Sequence, residues 1–372
     1  MIKSFKKSTK PLIYASNLHV GGGVQVASSF VNDCISGSFD CDMRVSTAVM
    51  SQLTTKLIDF NNNISVYNSF GLSSLFDFNV SILNYRYHTI FAVFGPFYSL
   101  TKPKLLISGF AQPWIVYPNN EVYRRLSVSS RLKIRIRNFV QIIFFSRADI
   151  LVVESENVKN MLSKRYFFKD KVISVVPNRL SSVFCNESSW RKLDYIPTPG
   201  EYRIGYLGRA YLHKNLSILP AIAKVLRDSY NLKVKFCVTL TDSEWDSLGY
   251  EFRQASVNYG PLKIYECPSF YEQVDACIFP SLLECFSIMP IESMFMEKPI
   301  FASDRDFVRA SCGEYPFYFD PNSPCDAALK IFEYFQNMDS YSARISGAKN
   351  FVQNNYFDPM DRSTSYFDLI GS

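Results

Sequence analysis

The chain has 372 residues, 47 % of them hydrophobic and 20 % charged, with a formal net charge of +6. Its length exceeds what one ordinary core holds, and its composition excludes a disordered or fibrous chain. The charge is uneven: residues 1–196 hold 24 Lys and Arg against 12 Asp and Glu, whereas the remainder holds 16 against 22, which points to different partners for the two halves.

Residues 1–16 carry basic side chains but run straight into a strand and a glycine loop, without the apolar stretch and cleavage site of a signal peptide. No window of about eighteen residues is uniformly apolar, so no membrane-spanning helix is expected. The nine cysteines, odd in number and never spaced C-x-x-C, read as reduced thiols inside the cell.

Short β-branched or aromatic runs alternate with longer mixed segments, the pattern of parallel sheets covered by helices, so the fold class is read as α/β. In the first half, strands are expected at 12–16, 43–49, 64–67, 89–94, 105–108, 150–154 and 172–176. After the first come Gly21, Gly22 and Gly23, then an apolar helical run over 24–31. Three glycines remove every Cβ, so backbone N–H groups and a helix N-terminus can approach an anion closely. The loop lacks the G-x-G-x-x-G spacing of a dinucleotide site, and a tight structural turn is an equal reading.

Further on, no acid lies between Glu121 and Asp149, while Arg124, Arg125, Arg131, Lys133, Arg135, Arg137 and Arg147 fall there. Leu132, Ile136, Phe139, Val140 and Ile143 form one helical stripe, expected to pack on the core with the cations on a solvated face. The excess of cations favours an anionic membrane surface; no recognition-helix or stacking motif accompanies it, so no nucleic acid is expected. Residues 177–200, rich in Asn, Ser and Pro, read as a linker, which divides the chain into domains 1–196 and 197–350. Residues 351–372 read as a helical segment, interrupted at Pro359, that returns to the first domain.

The second half repeats the pattern, with strands expected at 203–207, 233–240, 276–280, 300–303 and 317–320. Gly208 lets the chain turn at a strand's carboxyl end, where ligands bind in open α/β sheets. Arg209 and Lys214 then offer a forked and a point cation suited to a pyrophosphate, with two solvated surface cations as the plain alternative. Beyond Ser281, Glu284 lies in a loop, and a helix is expected whose free N–H groups near Phe286, Ser287 and Ile288 point toward bound phosphates. Glu292, eight positions after Glu284, is expected about two turns along and back near the same face. Two carboxylates so placed can hold separate hydroxyls of one polar ligand.

Together these residues resemble the glycosyltransferases of family 4, which have the GT-B fold. The family's E-x7-E element appears as Glu284 to Glu292, its Gly-Arg…Lys element as Gly208, Arg209 and Lys214, and looser matches fall at 148–155 and 176–178. The usual E-G-F-G-L-P opening departs here: Cys285 and Ser287 replace both glycines, and the proline, Pro290, falls one place later. The histidine that many relatives carry after the strand at 105–108 is absent, leaving Gln112, or His19 from the glycine loop, to take its place, with a satisfied core or turn histidine an equal reading of His19.

The resemblance implies two Rossmann-like domains facing a central cleft, donor in the second and acceptor in the first. By it, Arg209 and Lys214 hold the donor diphosphate and stabilise charge on the departing nucleotide. Glu284 sits by the donor sugar and completes the catalytic set, Glu292 bonds the ribose, and Gly21, Gly22 and Gly23 face the diphosphate and acceptor. No cofactor and no metal is expected. The implied reaction is retaining transfer of a hexose-type sugar from a nucleotide-diphosphate sugar to a hydroxyl of a lipid-linked saccharide acceptor. The implied setting is surface-polysaccharide or O-antigen assembly by a cytoplasmic protein peripheral at the inner face of the cell membrane. A nucleotide-sugar epimerase of the same fold and a non-catalytic membrane-surface scaffold are the alternatives.

Overall fold

The computed structural model describes residues 7–53, 63–196 and 198–371. It divides into two compact units. The first comprises the chain up to Asn119, Tyr123–Asn178 and the residues from Asp358 onward; the second comprises Asn120–Val122 and Arg179–Phe357.

In the first unit, β1 (Leu12–Ala15), β2 (Asp42–Val45), β3 (Ile64–Val66), β4 (Thr89–Ala92), β5 (Leu105–Gly109), β6 (Ile150–Val153) and β7 (Val172–Val175) form a parallel sheet in the order β3-β2-β1-β4-β5-β6-β7. In the second, β8 (Tyr202–Tyr206), β9 (Val234–Val238), β10 (Ser256–Asn258), β11 (Ala276–Phe279), β12 (Ile300–Ser303) and β13 (Phe317–Phe319) form another, ordered β10-β9-β8-β11-β12-β13. Helices cover the faces of both, so the central strands are apolar without alternation: every residue of β1, β11 and β12 is buried. The α/β class with two Rossmann-like parallel sheets, expected from the sequence, is the class observed. In each sheet the first strand, β1 or β8, has the second strand on one side and a later one on the other, which makes its carboxyl end a topological switch point.

Local chemistry explains where the expected elements end. The strand expected over 43–49 stops at Val45 because Ser46 caps the short helix Thr47–Met50, its hydroxyl accepting from Val49 N–H at 3.1 Å. Strand β10 escapes the apolar-run criterion because it is an edge strand of three residues in which Ser256 is buried and Val257, the one apolar residue, is half-buried. The second domain is expected from residue 197, which lies outside the described residues, but Arg179–Phe357 already packs as one unit. Leu180 and Phe184 enter the second core, and Leu180 N–H donates to the Tyr356 carbonyl at 2.8 Å, so the expected linker is tied down rather than free.

The last helix, Pro359–Gly371, belongs to the first unit. Tyr366 meets Phe30 edge to face at 4.9 Å, and Arg362, almost fully buried, bonds Asp33 at 2.6 Å and Asn178 at 2.8 Å. Burial pushes the Asp33 carboxyl up while the guanidinium pulls it down, the burial effect being the larger. No helix among the described residues is long and apolar enough to cross a membrane. Of the cysteines, Cys185 and Cys325 are exposed and the other seven are buried.

Candidate active site

The switch point of the second sheet is built from two loops, one after β8 and one after β11. Strand β8 ends at Tyr206, and Gly208 turns the chain at φ +154°, where a Cβ would lie 3.0 Å from the Tyr206 hydroxyl. Its N–H donates to Thr239 Oγ1 at 3.1 Å, which holds the turn against the end of β9. The loop then runs through Arg209, His213 and Lys214 to Asn215, whose left-handed backbone (φ 59°) redirects it toward the helix Leu219–Tyr230. Here Asn215 Nδ2 donates to the Pro321 carbonyl at 2.8 Å, fixing the redirection in the core.

The loop after β11 folds back onto the first. Leu282 N–H donates to the His213 carbonyl at 2.7 Å, and Ser281 Oγ lies 3.2 Å from the same oxygen. This brings Glu284 to Lys214: Nζ lies 2.5 Å from Oε1, and Ser281 Oγ donates to the same oxygen at 2.7 Å. Both side chains are largely shielded, so the pair is a preformed one rather than a chance surface contact. Burial lowers the basicity of the adjacent His213 imidazole, opposed by the Glu284 charge and assisted by that of Lys214.

Arg209 has a different partner. Its Nε lies 2.9 Å from both oxygens of Glu244, a residue the sequence reading did not single out. Glu244 also accepts from Ala210 N–H at 3.0 Å and from Thr241 N–H at 3.0 Å, and it closes a capping box with Thr241 at the helix Asp242–Ser247. Burial alone would raise the Glu244 carboxyl, but these bonds outweigh it and hold the group below the usual carboxylate range. The Thr241-x-x-Glu244 spacing was the signal that could have found it. Tyr206 is buried and its hydroxyl donates to the Arg209 carbonyl at 3.0 Å; burial above all, and then the charges of Glu284 and Glu244, push this phenol well up.

Glu292 stands otherwise than expected. The helix is Met289–Phe295, with Ile288 at its N-cap and Pro290 in its first turn, so Phe286 and Ser287 lie in the loop before it and Glu292 is in the first turn, not two turns along. Its Oε2 accepts from the Tyr271 hydroxyl at 2.8 Å. Burial pushes its carboxyl up to about 7, against the lowering effect of that bond. Lys214 and Glu284 are thus brought together, Arg209 pairs with Glu244, and Glu292 makes its hydrogen bond at Tyr271.

In the first unit, Gly21 takes φ 75°, ψ −162°, a region only glycine enters without strain, and begins the helix Gly22–Ser36 with no side-chain cap. Gly22 and Gly23 form its first residues, and a Cβ on Gly22 would meet nothing within 4 Å. His19 Nε2 donates to the Ser69 carbonyl at 2.8 Å and its ring stacks on Phe70 at 4.4 Å, so this histidine is held by the 69–70 loop. Gln112 precedes the short helix Pro113–Val116, its carbonyl accepting from Ile115 N–H at 3.0 Å. Among the described residues, no group of three His, Cys, Asp or Glu side chains is placed to hold a metal ion.

Residues 201–337, which span β8 to the helix after β13 and contain both loops, match the family described as Glycosyl transferases group 1. The chain is 25 % identical over 232 residues to the O-antigen chain mannosyltransferase RfbU of Salmonella typhimurium, covering 60 % of this chain and 62 % of that protein, less than two thirds of its length. The sucrose-phosphate synthase of Thermosynechococcus elongatus has a similar structure, with TM-score 0.68 and 14 % identity over 97 % of this chain and 98 % of its own. So has Anabaena HepE in complex with UDP and glucose, with TM-score 0.67 and 13 % identity over 98 % of this chain and 100 % of its own. A glycosyltransferase from Rickettsia africae gives TM-score 0.65 at 13 % identity, over 98 % of both chains. These structures share the fold, and residues 201–337 match the family described as Glycosyl transferases group 1.

Proposed function

We propose that the chain transfers a hexose-type sugar, with retention of anomeric configuration, from a nucleotide-diphosphate sugar to a hydroxyl of a lipid-linked saccharide in surface-polysaccharide synthesis. The observation that carries this is the pairing of Lys214 with Glu284 at the switch point, beside Arg209, within the segment that matches the family. Breaking a sugar–diphosphate bond leaves negative charge on the nucleotide, and fixed cations stabilise that charge as it develops. Lys214 and Arg209 would supply it, with no cofactor and no metal, and Glu284 would face the sugar. Glu292 would take the ribose hydroxyls. The domain roles follow: donor in the second unit, acceptor in the first, with Gly21, Gly22 and Gly23 offering bare N–H groups near the acceptor.

The named activity of the Salmonella relative supports an O-antigen setting and a hexose donor, and the UDP and glucose in the HepE complex support a nucleotide-sugar ligand. The excess of cations in the first half supports a site at the cytoplasmic face of a membrane, where a lipid-linked acceptor resides. The test is a nucleotide-sugar panel scored by thermal stabilisation in EDTA, followed by product analysis with and without a saccharide acceptor. Stabilisation by one nucleotide-diphosphate sugar and product only with acceptor are expected. Sugar conversion without acceptor would establish an epimerase instead, and no stabilisation by any member would leave the scaffold reading.

A further inference from the structure

The helix Val128–Phe145 turns its apolar stripe the wrong way for a core helix. The sequence leads one to expect Leu132, Ile136, Phe139, Val140 and Ile143 against the core; Val140 is half-buried, but the other four are 59 %, 56 %, 54 % and 41 % exposed, and Val128 is 79 % exposed. At 3.6 residues per turn the five exposed residues fall within an arc of about 80°. The residues the helix does bury are Asn138, which donates to the Tyr123 hydroxyl at 3.4 Å, and Phe145, which packs on Phe110 at 4.6 Å. Five large apolar side chains are therefore held in water by a helix anchored through its other face. Tyr166 and Phe167 extend the patch, also exposed, with the Phe167 ring 6.4 Å from that of Phe139.

Charge decides what covers this face. On the same wheel Arg135 and Arg131 border the stripe on one side and Lys133 lies past its other edge, with Arg137 further round toward the opposite face, and the helix contains no acid. Lys164, Arg165 and Lys169 surround Tyr166 and Phe167, with Asp170 the one acid among residues 164–171. A second copy presenting the same face would set these cations against cations. An apolar partner would leave them without counter-charge. A bilayer with anionic headgroups satisfies both parts, because apolar side chains enter the boundary of the acyl chains while flanking Lys and Arg reach the headgroups.

We propose that Val128–Phe145, with the Tyr166–Phe167 turn beside it, is an interfacial helix that docks the first unit on an anionic lipid surface. This deepens the functional reading above, on which it rests for its purpose, since a lipid-linked acceptor is presented at such a surface.

The experiment is sedimentation of the full chain with vesicles of phosphatidylcholine alone or of phosphatidylcholine and phosphatidylglycerol in equal parts, at low and high salt. Binding is expected to the mixed vesicles and to weaken with salt. Leu132→Ser with Phe139→Ser should lower the partition coefficient at least about tenfold, and Lys133→Glu with Arg137→Glu should remove the preference for the anionic vesicles. All four side chains face solvent, so an unchanged melting temperature is the check that each variant folds. Equal partition to neutral and anionic vesicles, or to neither, overturns the proposal. So does a dimer in sedimentation velocity that Leu132→Ser with Phe139→Ser dissociates, since that would assign the face to a second copy. The nucleotide-sugar panel run on the same variants separates the two readings: stabilisation without vesicle binding sinks only the docking, and vesicle binding without stabilisation sinks only the transferase.

Discussion

At the carboxyl end of β1, three glycines lead into a helix of 15 residues with no charged side chain in its first turn. At the carboxyl end of β8, the same topological place in the other sheet, one glycine leads into a loop bearing Arg209, His213 and Lys214. The first turn offers an anion nothing but backbone N–H groups and a helix dipole, which act at short range and carry no net charge. The second offers full charges, and each is held in place by a carboxylate from another segment, Glu244 in the first turn of the helix Asp242–Ser247 for Arg209 and Glu284 in the loop after β11 for Lys214. Two sheets of one topology have thus been given different tools. A backbone cradle suits a ligand that needs positioning, and a preorganised charge pair suits a group on which charge develops.

The largest expected effect breaks that comparison at Lys214. Lys214→Ala removes the point cation and leaves the shielded Glu284 with Ser281 as its donor. Nucleoside-diphosphate affinity by calorimetry, or transfer rate once the donor is known, should fall by about 10²- to 10³-fold, or roughly 3–4 kcal/mol. Lys214→Arg, which keeps the charge, should recover part of it. An unchanged affinity would mean that the loop after β8 is no better an anion site than the glycine turn.

Next in size is Glu292, whose carboxyl is pushed up to about 7 from 4.5 by burial. Between those values the folded chain retains a proton that the unfolded chain has lost. Stability is therefore unaffected below about pH 4.5 and falls as pH rises through the window, by about 3 kcal/mol in all. Urea midpoints at about pH 5 and about pH 7.5 should differ in that sense, and Glu292→Gln, which carries no titrating proton, should flatten the difference. A wild-type curve already flat over that range would show that Glu292 is not held protonated.

How much of this was legible in the sequence follows from the range of the interactions. Strands such as β1, β11 and β12 are buried along their whole length, so their apolar runs announce them. Gly208, Arg209 and Lys214, and likewise Glu284 and Glu292, lie close together in the chain, so spacing alone brings them to notice. What spacing does not carry is pairing across loops. Glu244 lies 35 positions from Arg209, and only the folded sheet, which sets β8 beside β9, brings them together. Periodicity identified a helix around residue 136 but not which face it buries. The buried face carries Phe145, packed on Phe110, and Asn138 with its tyrosine partner, a polar residue that a hydrophobic stripe counts as outward. The start of the second unit was misread for a related reason: residues 179–196 look like a linker in composition, yet Leu180 and Phe184 suffice to anchor them.

The smallest effect sharpens the comparison most, because it asks what the carboxylates opposite the cations are for. Glu244→Gln keeps a side chain able to complete the capping box with Thr241, so the helix Asp242–Ser247 should survive, while its bond to Arg209 loses the carboxylate charge. Stability should drop by about 1 kcal/mol, and Glu244→Ala, which also loses the cap, by more. If Glu244 positions Arg209, diphosphate affinity should weaken about fivefold in Glu244→Gln, since a guanidinium released from its partner must be ordered again by the ligand. If Glu244 instead competes with the ligand for Arg209, the same change should tighten binding. We expect weakening, because Glu244 also takes the N–H groups of Ala210 and Thr241 and so ties the loop after β8 to the loop after β9, an arrangement a departing competitor would have to dismantle.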